Sequence, residues 1–371
     1  FNASTDDPIG IFIEIDNFIL EGKGHTVDAN NQARALIIRG NNITINNLTI
    51  INAYANQGSA LIITKNSSLT TNNVNIDNSS SAAGVIFVNT NGTYASNNDK
   101  ITDAASPSGV ITISSGSATF NNILMTSSKA LSWGFINGVE GSSINVLNSV
   151  FANATSNYST AIKGDKSLKI KNTKFINLHA NFTAGAVSFK MGNEAEIENC
   201  TFENCHFVKA DLTAVAFVDC KFLNCDFVVP NMTNTGIKTS FFEGCKFMGV
   251  DFSDCSNFLF SPSFKDCMIS SCNFEGNKMP KTEFYTCKIR ETTFAYCDLS
   301  ESCFDNTEFQ ESTFQDCQLQ KSDFTDALGY AINPFANKLK GARFSLPEAQ
   351  SFLHFLGLCY YFFKNNIYIC G

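Results

Sequence analysis

The sequence predicts an all-β solenoid, and three observations carry that prediction. Residues 200–344 place a large apolar residue at nearly every fifth position, residues 1–196 repeat a looser unit at intervals of 24 to 27 residues, and helical periodicity is absent from that first half. Fixed-period self-similarity marks a chain in which each turn buries its apolar side only against its neighbours. Neither a helix nor a simple strand has a period of five.

In the first half an Asn-x-x-[Ile/Phe/Met] signature recurs at Asn47-Ile50, Asn73-Ile76, Asn98-Ile101, Asn122-Met125, Asn148-Phe151, Asn172-Phe175 and Asn199-Phe202. Between these lie apolar runs opened by a small residue, from Ser59, Gly84, Gly109 and Gly185. Each unit reads as two or three short strands separated by Asn, Gly and Ser turns, which closes naturally as a parallel β-helix of about 25 residues per coil. The Asn column would supply amide ladders between coils, as stacked Asn does in cross-β structures. Asn47 and Asn199, as ladder residues, are expected to point inward.

In the second half the large positions run Phe202, Phe207, Leu212, Phe217, Phe222, Phe227 and on to Phe252, then, after a two-residue slip, from Phe264 to Phe324. At a period of twenty, Phe202, Phe222 and Phe242, then Phe264, Phe284, Phe304, Phe324 and Phe344, fall in one column of a four-sided coil. The slip, around Ser256 to Pro262, is expected to form a bulge or a short outward loop. Ten of the 14 cysteines, Cys200, Cys205, Cys220, Cys225, Cys245, Cys267, Cys272, Cys287, Cys297 and Cys317, stand two places before a large residue, where Ala, Ser, Thr and Val alternate with them. Free Cys serves there as a small buried residue. A column of thiols at strand spacing suits neither a disulfide nor tetrahedral zinc, so no metal or cofactor is expected. Reduced thiols suit a cytosol or an anoxic habitat.

The pentads, for example CDLSESCFDNTEFQESTFQDCQLQKSDF at 297–324, resemble the pentapeptide-repeat family over about 197–346. That resemblance implies a right-handed quadrilateral β-helix with the large residue and the small residue two before it both inside. The opening residues Gly22, Gly24, His25, Thr26 and Asp28, followed by Asn-rich coils, resemble the pectate-lyase-like β-helices of adhesin-like surface proteins over about 10–205. In such families the signature is architecture, which makes His25 a turn or capping residue. The expected organisation is a wide β-helix over 1–196 stacked on a pentapeptide-repeat β-helix over 197–346, with a cap and tail over 347–371. Ser345-Leu346-Pro347-Glu348 and the spacing of Phe352, Phe355 and Leu356 predict a short amphipathic C-terminal helix, which plugs the last coil or pairs two copies.

The formal charge is -8, and its acidity sits in the second half: residues 1–190 hold 12 basic and 11 acidic side chains, residues 191–371 hold 14 and 23. Asp251, Asp298, Glu301, Asp305, Glu308, Glu311, Asp316, Asp323 and Asp326 occupy outward pentad positions, where a solvated surface is the ordinary reading. No signal peptide is visible at Phe1, and the apolar stretch from Phe352 to Phe363 is too short to span a bilayer. Eleven Asn-x-Ser/Thr sequons, among them Asn2, Asn42, Asn47, Asn66, Asn78, Asn91, Asn153, Asn157, Asn181, Asn199 and Asn231, lean towards a cell-surface location, with a cytoplasmic one as the alternative.

Catalysis on a β-helix, for instance cleavage of acidic polysaccharides, would need clustered carboxylates with a nearby cation. Asp6 and Asp7 precede the coils, Asp77, Asp99, Asp103 and Asp165 lie a coil or more apart, and His25, His179, His206 and His354 are scattered. No catalytic, cofactor or metal residue is therefore nominated, and the chain is read as a non-enzyme. The leading function is an adhesin-like scaffold for protein or glycan contact at a cell surface. The alternatives are an acidic mimic of DNA that binds a type II topoisomerase such as gyrase, without binding nucleic acid itself, and a polysaccharide lyase or hydrolase. Lys278, Lys281, Lys288 and Arg290 oppose the mimic, because they face a polyanion-binding groove with the wrong sign.

Overall fold

The computed structural model describes residues 10–127, 134–139, 141–156, 161–180, 187–189, 195–356, 359–363 and 366–370. The chain packs as two compact units, Phe1–Ala216 and Phe217–Gly371, and almost all of its regular structure is parallel β. Asn2, Asp6, Asp7, Asn157, Asn181 and Gly185 lie outside the described residues.

Unit 1 is a parallel β-helix with three strands in a typical coil, such as Leu61–Ile63, Ser68–Asn72 and Asn75–Asp77. The small-residue runs form one sheet, in which Leu36, Leu61, Ile86, Ile111, Ile136 and Ile162 lie in register. The column after each signature Asn is also in register, Ile50 on Ile76 on Ile101 on Met125 on Phe151 on Phe175 on Phe202, and every member is buried. β-branched and aromatic residues suit this pleated, tightly shared interior. Its aromatic members lie as parallel rings, with Phe175 and Phe202 4.8 Å apart at 7°.

The Asn column corrects an expectation. Asn47 and Asn199 do not point inward; they are exposed, and both sit at corners with positive φ, 54° and 50°. Asn73, Asn98, Asn122, Asn148 and Asn172 share that conformation. Asn tolerates the left-handed region better than any other side-chain-bearing residue, so the corner selects it and the ladder forms outside the tube. Nδ2 groups of this column donate to the preceding coil: Asn73 to Asn47 Oδ1 (3.1 Å), Asn122 to Asn98 (2.8 Å), Asn148 to Asn121 (3.0 Å), Asn172 to Asn148 (3.1 Å) and Asn199 to Asn172 (2.9 Å). His25 lies in the first turn, where its N–H donates to Gly22 O at 2.8 Å. Gly22 is required there, since a Cβ would stand 2.7 Å from Asn47 O.

Unit 2 winds at twenty residues per coil. Its Phe column stacks ring on ring: Phe222–Phe242 at 4.7 Å, Phe264–Phe284 at 5.0 Å, Phe284–Phe304 at 5.1 Å and Phe304–Phe324 at 4.3 Å, all within 16° of parallel. A second column, Phe252, Phe274, Phe294 and Phe314, meets the first edge-on, as Phe284 and Phe294 do at 89°. Edge-to-face and offset geometries are those that aromatic quadrupoles favour. Every fifth residue turns a corner with positive φ, so that Lys281, Thr286, Glu291, Tyr296, Glu301, Asn306, Glu311, Asp316 and Lys321 all adopt it.

The small inward position does more than save space. Cys297 Sγ donates to Phe274 O and Cys317 Sγ to Phe294 O, while Thr307 Oγ1 donates to Phe284 O at 2.9 Å. The same heteroatoms accept main-chain N–H groups from the preceding coil, Cys287 N to Thr307 Oγ1 and Cys225 N to Cys245 Sγ. Thiol, hydroxyl and the Asn337 amide thus satisfy backbone groups that the narrow corner leaves unpaired. All ten predicted inward cysteines are buried and unbridged.

The slip between Phe252 and Phe264 is an outward loop containing a 3₁₀ turn, Asn257–Leu259, with a register shift between Ile237 and Ser240 on the neighbouring coil. At the far end a 3₁₀ turn, Glu348–Ser351, leads into one α-helical turn, Phe352–Phe355, shorter than the spacing suggested. Phe352 stands perpendicular on Phe344 at 4.8 Å and closes the last coil. Strands Cys359–Phe363 and Asn366–Cys370 then pair as an antiparallel hairpin. Under the cap Tyr330 is buried with no partner for its hydroxyl among the described residues, and burial with the charge of Glu348 pushes its pKa up to about 12. Tyr330→Phe is expected to stabilise unit 2 by about 1 kcal/mol, since the orphan hydroxyl is lost and the ring kept. A lower melting temperature for the variant would show that the hydroxyl is satisfied.

Candidate binding surfaces

The structure disperses the carboxylates considered for catalysis. Asp99 is inside the core of unit 1, Asp77 accepts the Thr102 hydroxyl on the outer face, Asp103 is an exposed corner residue, and Asp165 accepts Gly141 N–H at 2.7 Å. Among the described residues no group of three or more His, Cys, Asp or Glu could hold a metal ion. Two histidines are nevertheless brought together: His179 and His206 meet edge to face at 4.2 Å. Their spacing of 27 residues, which is also that of the laddered Asn177 and Asn204, was the available signal.

On unit 2 the outward carboxylates spread over several faces and are interleaved with cations. Lys265 pairs with Glu243 at 2.6 Å, and Glu301 stands between Lys281 (3.8 Å) and Lys321 (3.6 Å) in one corner column. Arg343 pairs with Asp323. Lys288 and Arg290 lie on the strand that pairs with Glu308–Gln310. Exposed pairs of this kind add little stability, but they break the acidity into short segments.

Two features of unit 2 depart from the pentad rule. Phe258, at the tip of the slip loop, is 94% exposed, whereas the pentad phenylalanines are inside. Cys303 is outward and half-buried beside a groove of about 370 Å³ that Phe241, Lys265, Glu283, Tyr285 and Asp305 also line. Burial, with the charges of Asp323, Asp305 and Glu283, pushes the Cys303 pKa up, which keeps the thiol protonated and a poor nucleophile. A second groove, about 430 Å³, runs past Thr239, Ser261, Pro262, Pro280 and Lys281. Both deviants were visible as residues out of phase with the period. Among the described residues no helix is long and apolar enough to cross a membrane.

A family model described as a pentapeptide repeat region matches residues 195–269 and 267–344. No curated protein matches the chain. Among solved structures, QnrB1, a plasmid-mediated fluoroquinolone resistance protein, is 18% identical, with 54% of this chain and 99% of that one covered and a TM-score of 0.31. The A-module of the mannuronan C-5 epimerase AlgE6 of Azotobacter vinelandii is 11% identical, with 91% of each chain covered and a TM-score of 0.30. PfbA, a surface adhesin of Streptococcus pneumoniae, is 12% identical, with 90% of this chain and 81% of that one covered and a TM-score of 0.27.

Proposed function

We propose that this chain, whose residues 195–344 are a pentapeptide-repeat region, works without catalysis as an adhesin-like scaffold that holds a rigid surface against a protein partner outside the cell. The observation that carries the reading is Phe258. A phenylalanine 94% exposed on a short turn, where the period has been interrupted to project it, costs solubility and contributes nothing to the core. Aromatic anchors of this kind dominate protein interfaces. The grooves beside Pro262, Pro280 and Tyr285 give a partner concave surface to fill.

The test is binding of the purified chain to arrays of immobilised extracellular proteins and glycans, with Phe258→Asp in parallel. Because Phe258 lies outside the core, the variant should fold normally and lose at least tenfold in affinity for a protein ligand. Glycan-only binding that Phe258→Asp leaves intact would overturn the protein-partner reading. Conversion of alginate or polygalacturonate by the wild-type chain would overturn the non-catalytic one. Protection of the chain from external protease on intact cells would remove the surface location.

A second reading, a DNA mimic that occupies a type II topoisomerase, is supported by the acidic balance of residues 191–371 and by the exposed corner carboxylates Glu291, Glu311 and Asp316. It predicts gyrase binding that weakens steeply with salt. Lys288 and Arg290 weigh against it.

A further inference from the structure

One outward column of unit 1 carries chemistry that neither the core nor the Asn ladders use. His179, on strand Lys174–Ala180, stands in register after Thr155 of strand Val150–Ser156. His206, on strand His206–Val208, lies one coil further on, and the two imidazoles meet at 4.2 Å and 71°. Both are half-buried. The backbone beneath them is fixed: Leu178 is buried before His179, Cys205 and Phe207 are buried on either side of His206, and two residues before the pair Asn204 Nδ2 donates to Asn177 Oδ1 at 3.0 Å. Ligands on strands held in this way are placed more precisely than ligands on loops.

An edge-to-face contact by itself asks only for two aromatic rings, and this chain uses phenylalanine for that inside the tube. Imidazole adds a ring nitrogen with a lone pair, which makes it the commonest metal ligand in proteins. Metal–nitrogen bonds of about 2.0–2.1 Å let one ion span two nitrogens up to about 4 Å apart. With their ring centres 4.2 Å apart, the two imidazoles bring nitrogens within that span by rotation about their side-chain bonds, and the strands need not move. The ligand type selects the metal. Calcium and magnesium take oxygen ligands, whereas imidazole suits nickel, copper and zinc. Among the described residues no third His, Cys, Asp or Glu completes a set with the pair, so an ion held here keeps coordination positions open to water.

We propose that His179 and His206 together bind one divalent transition-metal ion of the nickel, copper and zinc group, copper(II) most tightly, since it is the strongest binder of that series. The two rings supply two ligands and water supplies the rest. The ion ties one coil of unit 1 to the next. In the unfolded chain the two histidines are 27 residues apart and no site exists, so binding is coupled to folding and stabilises the folded state. The site belongs to unit 1 and does not depend on the Phe258 loop or on the adhesin-like reading.

The probe is copper(II), titrated into the full chain at neutral pH and followed by electron paramagnetic resonance and by melting temperature. We expect saturable binding of an ion whose spectrum carries two imidazole nitrogens, weakened at least tenfold by His179→Gln and to the same extent by His206→Gln, because each variant leaves a single ring. His25→Gln and His354→Gln should leave the affinity unchanged. Copper(II) should raise the melting temperature of the wild type and of neither pair variant, and excess zinc(II) should displace it. Circular dichroism of the metal-free variants checks that they fold. Undiminished binding in either His179→Gln or His206→Gln, a spectrum with one imidazole nitrogen, or no saturable binding would overturn the proposal. So would an equal loss on His25→Gln or His354→Gln, which would mean scattered binding to single histidines.

Discussion

Phe304→Ala is expected to destabilise unit 2 by about 3–5 kcal/mol, near the top of the range for a buried aromatic truncation. Phe304 is fully buried, lies 5.1 Å from Phe284 and 4.3 Å from Phe324 in the stack, and meets Phe314 edge-on at 6.1 Å. The void cannot collapse easily, because parallel ladders fix the coils at strand spacing on every side. Stability in a solenoid is a sum over repeats and their interfaces, so the loss should also be local. Hydrogen exchange ought to accelerate first at amides between Met279 and Leu328. Phe304→Leu, a residue already used inside at Leu299 and Leu319, should cost less than half as much. A loss under about 1.5 kcal/mol for the alanine variant, in urea titration, would show that the stack is not what holds the narrow coils together.

The same steric logic explains what could be read from the residues alone. A tube only wide enough for one large and one small side chain per edge forces the five-residue period, so the Phe columns and buried thiols were legible. The outward corners of unit 2 were not, because Glu291, Thr286, Tyr296 and Lys321 have no shared preference for positive φ. Neighbouring ladders impose that conformation on them. In unit 1 the corner residue is Asn for two reasons at once, left-handed tolerance and amide pairing, and a one-dimensional motif cannot say which side of the tube the amide occupies. The small inward position read as a size constraint, and its hydrogen-bonding role needs the twenty-residue register to be seen. Phe258 and Cys303 are departures from the repeat. The candidate surfaces lie at such departures, and periodicity says little about them.

Asp99 is such a departure inside the core, and it gives the second large prediction. Leu48, Val74 and Ile123 are buried after the corner residues Asn47, Asn73 and Asn122, and Asp99 follows Asn98 in the same way, only 4% exposed. It accepts the Thr71 hydroxyl, the Ser96 hydroxyl at 2.6 Å and Val74 N–H at 2.7 Å, while Thr71 also meets Tyr94 OH at 3.0 Å. Asp99→Ala should cost about 2–4 kcal/mol, because a buried N–H and two hydroxyls lose their acceptor together. Burial raises the Asp99 pKa above its usual value despite these donors. The folded state then binds the proton more tightly than the unfolded chain. The contribution of Asp99 is therefore most favourable in acid and falls as pH rises from near the ordinary carboxyl value, 3.8, through the folded one. Surface carboxyls such as Glu21 and Asp28, held low, slope the other way, so the observable is the stability of wild type minus that of Asp99→Asn at each pH. That difference should decline as pH rises across this window and then level off; a flat or rising difference would mean that Asp99 is not buried as an ionisable acid. Replacing Asp99, Thr71, Ser96 and Tyr94 together by Leu, Val, Val and Phe should restore or exceed wild-type stability, since shape-matched apolar groups can replace a buried polar network at no net loss.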